Sequence, residues 1–137
     1  MLRKHKIKLS EIHTKSTEEL ANVLNTTILR AKQLKGLATF QQIPSIGEVM
    51  ATRLVDVLGY HQLEQLAEKH WPDVFHQMEV AEGYWTDPCV EDQIMCIIHY
   101  ANHPESEKQW FDFTEERKRY REKHGYPIDR PTTAWYE

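Results

Sequence analysis

Apolar residues recur every three or four positions along most of this chain, which is the pattern of amphipathic α-helices. The first such run predicts an N-terminal helix over residues 16–35, with Gly36 as its natural end. A short second helix is expected over residues 37–42, because the residue before Pro44 disfavours helical geometry. Two consecutive helices are thus predicted ahead of this proline.

The same periodicity predicts five further helices after Pro44, with glycines and prolines marking their ends. They cover residues 47–59, 62–70, 72–83, 88–101 and 114–125, where the closing glycines are included. The helix at 88–101 is the most apolar and is expected to form the core, whereas the last helix is strongly charged. The alternation of apolar and polar residues that a strand would require appears nowhere. The chain is accordingly predicted to be all-α.

One domain is expected, because 137 residues with 40% hydrophobic content can build one modest core. Residues 1–15 are interpreted as a basic N-terminal arm, residues 16–125 as a single helical domain, and residues 126–137 as an extended C-terminal tail. The tail is expected to dock through Trp135 and Tyr136.

The net charge of -4 hides a strong asymmetry along the chain. Eight bases and three acids give +5 over residues 1–36, two bases and twelve acids give -10 over residues 37–107, and seven bases and six acids give +1 over residues 108–137. Because phosphate affinity comes from lysine and arginine, a polyanion is expected to bind mainly at the two ends. The C-terminal bases form a cluster, Arg117, Lys118, Arg119, Arg121 and Lys123.

Two further features bear on location. No run of about 18 apolar residues is present and no signal-peptide core follows the first residues, so a soluble cytoplasmic protein without a membrane contact is expected. Cys89 and Cys96 lie seven residues apart on one predicted helix, about 10 Å along its axis, which is too far for a disulfide. Both cysteines are therefore predicted to be free thiols, as a reducing compartment permits.

Residues 43–47, Ile-Pro-Ser-Ile-Gly, are followed by Ala51 and Leu54 in a pattern that resembles the helix-hairpin-helix motif, whose common form is L-P-G-I-G, three residues, then A. A tight turn that leads into a helix N-terminus leaves backbone N–H groups unpaired, and a phosphate can bind there without any base being recognised. The resemblance implies sequence-independent binding of DNA. The residues expected to carry it are Ser45, Ile46, Gly47, Val49 and Arg53.

Two departures from the motif leave other interpretations open. Ser45 replaces the first glycine of the hairpin, and Glu48 and Val49 stand where a lysine often follows the second. A carboxylate beside the expected phosphate position repels an anion, although it also favours a helix N-terminus. The hairpin could therefore be only a connector between helices, or its acidic face could meet a basic protein partner or a second copy of the chain.

A second resemblance covers residues 37–117. Asp-Pro-Cys-Val at 87–90 opens an apolar helix that ends Tyr-Ala-Asn at 100–102, and Trp110 and Phe111 follow it. This arrangement is similar to the bacterial pathogenicity-locus family, some members of which are labelled mitomycin-resistance proteins. The family has no established activity, so the resemblance implies a hairpin fold with a link to DNA and no mechanism.

Metal and cofactor sites are not predicted. Cys89, Cys96, His99 and His103 share one helix face, yet the first and last lie about 21 Å apart along the axis and cannot bind one ion. A subset of Cys96, His99 and His103 with help from elsewhere stays open as a minor alternative.

Catalytic residues are not predicted either, and the chain is expected not to be an enzyme. No glycine-rich phosphate loop is present, and the acidic residues of the middle region are expected to be solvated and solubilising, namely Glu64, Glu68, Asp73 and Glu79. The tryptophans are predicted to anchor the core rather than to stack on bases. Of the aromatic residues that could stack on a base, only Tyr120 has basic neighbours in the sequence.

Overall fold

Six α-helices make up most of the described chain, which covers residues 16–23 and 27–137 of a computed structural model. They are α1 (Thr17–Val23), α2 (Ile28–Phe40), α3 (Glu48–Thr52), α4 (Trp71–Glu82), α5 (Pro88–Asn102) and α6 (Thr114–His124). A π-helical turn, Arg53–Val57, continues α3, and two 3₁₀ turns cover Leu63–Gln65 and Trp110–Phe113. No strand occurs within these residues, and the all-α prediction is confirmed. The predicted basic arm, residues 1–15, lies outside the described residues.

The prediction of one helix over residues 16–35 is wrong, because a new helix begins at Ile28. Thr27 precedes it with an extended backbone, φ -73° and ψ 157°, and its Oγ1 accepts a hydrogen bond from the N–H of Arg30 at 3.1 Å. This is an N-cap, in which the side chain satisfies a donor that the helix leaves unpaired. The periodic apolar pattern spans both helices, so periodicity alone did not reveal the start at Thr27.

Gly36 lies inside α2 and does not end it, which corrects the predicted helix end. A Cβ at this position would lie 2.9 Å from the Cα of His61 and 3.0 Å from the Cγ2 of Val55. The glycine is therefore explained by the close approach of another segment, which is a second common reason for glycine in a helix. The separate short helix expected at 37–42 is the last part of α2.

The end of α4 and the start of α5 follow the predicted signals. The Oδ1 of Asp87 accepts a hydrogen bond from the N–H of Cys89 at 2.7 Å, and Pro88 is the first residue of α5. Gly83 ends α4 with φ 82°, a left-handed conformation that glycine adopts without strain. The helix predicted at 62–70 is wrong, since only the turn Leu63–Gln65 forms there.

The Gln65 side chain caps the start of that turn. Its Oε1 accepts hydrogen bonds from the N–H groups of His61 at 2.8 Å and Gln62 at 2.9 Å. The side chain thus occupies the backbone donors at the start of the turn, as in a capping box.

The core is centred on α5, as predicted, and it reaches into the hairpin between α2 and α3. The largest buried apolar side chains are Phe40, Ile43, Leu54, Leu66, Phe75, Met78, Ile94 and Ile97. Burial of each such side chain contributes roughly 1.5–3 kcal/mol. Ile43 and Ile46 are both buried, so the hairpin is attached to the core through its isoleucines.

Residues 126–137 lie against the helices. The N–H of Trp85 donates to the carbonyl of Thr133 at 2.8 Å, and the N–H of Trp135 donates to the carbonyl of Trp85 at 2.9 Å. Ala134 between them is buried, whereas Trp135 and Tyr136 are largely exposed. The end of the tail is therefore held by backbone hydrogen bonds, and of Trp135 and Tyr136 only Tyr136 adds an edge-on contact with Trp85.

Within residues 16–23 and 27–137, none of the helices has both the length and the apolar character needed to cross a lipid bilayer.

Candidate nucleic-acid interface

The turn between α2 and α3 holds its serine in a conformation that usually favours glycine. Ser45 has φ 66°, in the left-handed region, at the position where the motif carries its first glycine. The Oγ of Ser45 accepts a hydrogen bond from the N–H of Trp110 at 2.9 Å and donates to the carbonyl of Pro44. Two side-chain hydrogen bonds thus offset the strain that a non-glycine residue meets here.

Backbone donors at the hairpin differ in their availability. The N–H of Ile46 donates to the carbonyl of Ile43 at 3.1 Å, so this amide is already paired inside the turn and does not fit the predicted phosphate contact. The N–H groups of Ser45, Gly47, Glu48 and Val49 have no acceptor among the described residues. The four residues that carry these amides are all exposed. These four N–H groups are therefore the backbone donors of the turn that could bind an anion.

Arg53 does not present its charge to the hairpin. Its Nε donates to the Oε2 of Glu82 at 3.2 Å, its Nη2 donates to the Oε1 of the same carboxylate, and Thr86 Oγ1 lies 3.5 Å from Nη2. The side chain is only 17% exposed. The predicted role of Arg53 in phosphate binding therefore conflicts with a two-pronged ion pair that fixes it on α4.

Two large apolar side chains at or near the hairpin are exposed. Val49 is 77% exposed in the first turn of α3, beside the exposed Glu48. Phe111 is 53% exposed and directly follows Trp110, the residue that binds Ser45. Trp110 was part of the family resemblance, but no local pattern indicated that it contacts a hairpin residue 65 positions away.

Three buried carboxylates lie on α4 and α5, and each is paired with an arginine. Glu79, Glu91 and Asp92 are at most 1% exposed, so the expectation that Glu79 is solvated is wrong. Arg130 donates to Glu79 at 2.9 and 3.0 Å, Arg121 to Glu91 at 2.6 Å, and Arg117 to Asp92 at 2.9 Å. Burial of a carboxylate is tolerated when a cation and further hydrogen bonds compensate it.

Hydroxyl groups complete two of these pairs. Tyr126 donates to the Oε2 of Glu91 at 2.6 Å, and Thr114 donates to the Oδ2 of Asp92 at 2.8 Å. Burial raises the pKa of Tyr126 to about 12, and the bond to Glu91 acts in the same direction. The hydrogen bond with Asp92 raises the pKa of Arg117 above its ordinary value. Both groups therefore keep their protons at any physiological pH.

The C-terminal basic cluster is divided by these pairs. Arg117 and Arg121 point their guanidinium groups at buried carboxylates, whereas Lys118, Arg119 and Lys123 are exposed. The prediction that the whole cluster offers charge to a polyanion is therefore corrected to three of its five members.

Cys96 and the histidines near it have internal partners. Cys96 is buried and its Sγ donates to the carbonyl of Lys108 at 3.5 Å, and burial raises its pKa to about 11. The Nε2 of His99 lies 3.1 Å from the Oγ of Ser106, and its ring centre is 4.8 Å from that of His103. Within the described part of the chain, no three His, Cys, Asp or Glu side chains are arranged to hold a metal ion. Cys96 and the exposed Cys89 are free thiols, as predicted.

Sequence comparison finds a matching protein family and a related protein. A protein-family model described as "Pathogenicity locus" (Cdd1) matches residues 33–119. The mitomycin resistance protein McrB of Streptomyces lavendulae is 28% identical over 75 residues, which cover 55% of this chain and 70% of that protein. No solved structure matches the chain. The matched region contains the hairpin, α4, α5 and the first half of α6, but not the tail.

Proposed function

The chain belongs to the pathogenicity locus family, and on that premise we propose that it binds nucleic acid without catalysing a reaction. In this proposal the phosphate backbone of DNA rests on the amides of the turn between α2 and α3, and no base is recognised there. The protein acts in this way as a sequence-independent DNA-binding protein.

One observation carries the proposal. The N–H groups of Gly47, Glu48 and Val49 follow a tight turn, belong to exposed residues, and have no acceptor among the described residues. Consecutive unpaired amides at the start of a helix attract an anion, because their partial positive charges add. The relative named for mitomycin resistance is compatible with this role but does not specify it.

The charges around the hairpin also determine the expected affinity for DNA. Glu48 lies beside the amides and Arg53 is engaged with Glu82, so the hairpin brings little net positive charge. Binding is therefore expected to be weak at physiological salt, with non-specific dissociation constants on the order of 10⁻⁴–10⁻⁶ M.

A pair of variants at Glu48 tests the amide contact. Glu48 is the first residue of α3 and Gly47 before it is extended, φ -103° and ψ -169°, so proline at position 48 fits the backbone. Glu48→Pro removes both the carboxylate and the N–H, whereas the matched control Glu48→Ala removes only the carboxylate. Anisotropy of a fluorescein-labelled 20-base-pair duplex at low salt measures the affinity of each.

Glu48→Ala is expected to bind at least as tightly as the unmodified protein, since a repulsive charge is lost. Glu48→Pro is expected to bind at least about tenfold more weakly than Glu48→Ala, which corresponds to one lost hydrogen bond to a charged group. Equal affinities of the two variants would contradict the amide contact. If the unmodified protein does not retain the duplex at all, the proposed function is wrong.

A second candidate is a protein-interaction module, and the exposed Val49 and Phe111 beside the hairpin favour it. Large apolar side chains at a surface often mark a contact with another protein. Sedimentation velocity of the concentrated protein tests self-association, and Val49→Ser with Phe111→Ser is expected to abolish any dimer formed through this surface. An unchanged dimer in the double variant would exclude this surface.

A further inference from the structure

A groove at the end of the 3₁₀ turn Trp110–Phe113 combines aromatic side chains with the basic Lys69. It lies between residues 69–71, the second half of α5 and the start of α6, and encloses about 210 Å³. Trp71 and Phe113 line it together with the apolar side chains of Met95 and Ile98.

Neighbouring aromatic side chains and the core hold the aromatic rings of the groove in place. The ring of Tyr120 on α6 packs edge-on against Trp71, with 4.9 Å between ring centres. The ring of Phe113 lies 5.4 Å from that of His99, and Trp71 and Phe113 both pack against the core, Phe113 as one of its buried members. Aromatic groups that are already ordered lose little entropy when a flat ligand binds to them.

Polar groups surround the apolar floor. Lys69 and His70 are exposed and line the groove, and the ammonium group of Lys108 lies 5.6 Å from the centre of the Phe113 ring. Glu116 is the acidic residue among the lining side chains. Burial, with help from His103 and Lys108, lowers the pKa of His99, whose Nε2 lies 3.1 Å from the Oγ of Ser106, so this histidine does not add a positive charge to the groove at pH 7.

The groove and the hairpin share one structural element. The 3₁₀ turn Trp110–Phe113 binds Ser45 of the hairpin through its first residue and lines the groove with its last. The hairpin and the groove are therefore connected through one four-residue turn. A second groove, of about 460 Å³, carries Glu64 and Glu68 against Lys69 and lacks aromatic walls, so it is less suited to a base.

We propose that this groove binds an unpaired base of a single-stranded nucleic acid, stacked against the partly exposed Trp71, with the neighbouring phosphate near Lys69. The inference rests on the proposed function, because it assumes that a nucleic-acid strand is held at the hairpin. It adds a preference for single-stranded over duplex DNA, since a paired base cannot enter the groove.

The test uses a twelve-nucleotide oligothymidylate with one central 2-aminopurine, whose fluorescence is quenched when the base stacks. The groove variant combines Lys69→Gln with His70→Gln. The matched control combines Lys118→Gln with Arg119→Gln, two exposed positions on α6 that do not line the groove. Circular dichroism establishes that both variants keep the helical content of the unmodified protein.

The unmodified protein is expected to quench 2-aminopurine and to bind the single strand more tightly than the duplex. The groove variant should lose about tenfold in single-strand affinity, because it removes the phosphate contact of Lys69 and the polar group of His70 at the groove, and less than twofold in duplex affinity. The control should lose less than twofold for the single strand.

Equal losses in the two variants would show that only diffuse charge attracts the strand and would overturn the groove proposal. Duplex binding without any quenching of the single strand would overturn it as well, while leaving the proposed function intact. If neither duplex nor single strand is retained, both proposals are wrong. Displacement of the oligonucleotide by an equal concentration of free deoxyadenosine monophosphate would reassign the groove to mononucleotides.

Discussion

At the scale of single residues, the hairpin shows how a side chain can replace a missing glycine. Ser45 adopts φ 66° and is held by hydrogen bonds with Trp110 and Pro44. Glycine would adopt this conformation without steric cost, but it would leave the N–H of Trp110 without this partner. Ser45 therefore adopts a strained backbone conformation, and its side chain links the hairpin to the turn at 110–113.

Substitutions at Ser45 separate these two contributions. Ser45→Ala keeps the steric cost of the left-handed backbone and loses the hydrogen bond from Trp110, so it is expected to reduce the free energy of unfolding by about 1–2 kcal/mol. Ser45→Gly loses the same bond but relieves the strain, so it should be at least about 1 kcal/mol more stable than Ser45→Ala. Urea denaturation followed by circular dichroism measures both, and equal stabilities would contradict a strained serine.

At the scale of secondary-structure elements, ion pairs connect the C-terminal segments to the helices before them. Glu79 on α4 is buried and receives two hydrogen bonds from Arg130 of the tail, and a third, at 2.7 Å, from the N–H of Thr86. A buried ion pair adds little net stability compared with apolar packing, but removal of one partner leaves an uncompensated charge. The tail is thus coupled to α4 through the Glu79 carboxylate, whose burial without a cation would be unfavourable.

Replacement of Arg130 by alanine is expected to destabilise the protein by about 3–5 kcal/mol, because the Glu79 carboxylate loses its buried cation. Combination with Glu79→Gln should recover a large part of this loss, since a neutral amide needs no cation. A double-mutant cycle from thermal or urea unfolding measures the coupling. Additive losses in the double variant would contradict the pair as the link between the tail and α4.

At the scale of the whole molecule, the arrangement of charge differs from what the linear sequence suggests. Arg53, Arg117, Arg121 and Arg130 all bind carboxylates inside the protein. Four of the 17 lysine and arginine side chains are therefore engaged with internal carboxylates. Three of these four belong to the seven bases of residues 108–137, so fewer cations are available for a polyanion at the C-terminal end than the sequence suggests.

This arrangement predicts a shallow salt dependence of DNA binding, contrary to the steep dependence that the charge clusters alone would give. Duplex affinity measured between 50 and 200 mM salt should give a logarithmic slope between about -1 and -3, which corresponds to one to three phosphate contacts. A slope steeper than about -5 would mean that the basic N-terminal arm or further cations take part. The measurement uses the same labelled duplex as the Glu48 variants.

Local signals in the sequence were sufficient for most of the helices. The proline and glycine signals placed the ends of α4, α5 and α6, and Pro44 marked the turn between α2 and α3, whereas the helix-hairpin-helix resemblance of residues 43–47 stays a prediction. These predictions succeeded because caps, prolines and left-handed glycines act through neighbouring atoms. The two wrong boundaries, at Thr27 and Gly36, share the opposite cause, since periodicity continues across a cap and a glycine can be selected by a distant neighbour.

The sequence by itself determined an all-α chain with an apolar α5 at its centre, because helical periodicity and capping depend on residues close together in the chain. Only the tertiary structure decided which charges face solvent, since Glu79 meets Arg130 from 51 residues away and Arg53 meets Glu82 from 29. It also decided which hairpin amides have partners and that Trp110 supports Ser45. Long-range contacts of this kind form only after the core has brought the helices together, so no local pattern of residues records them.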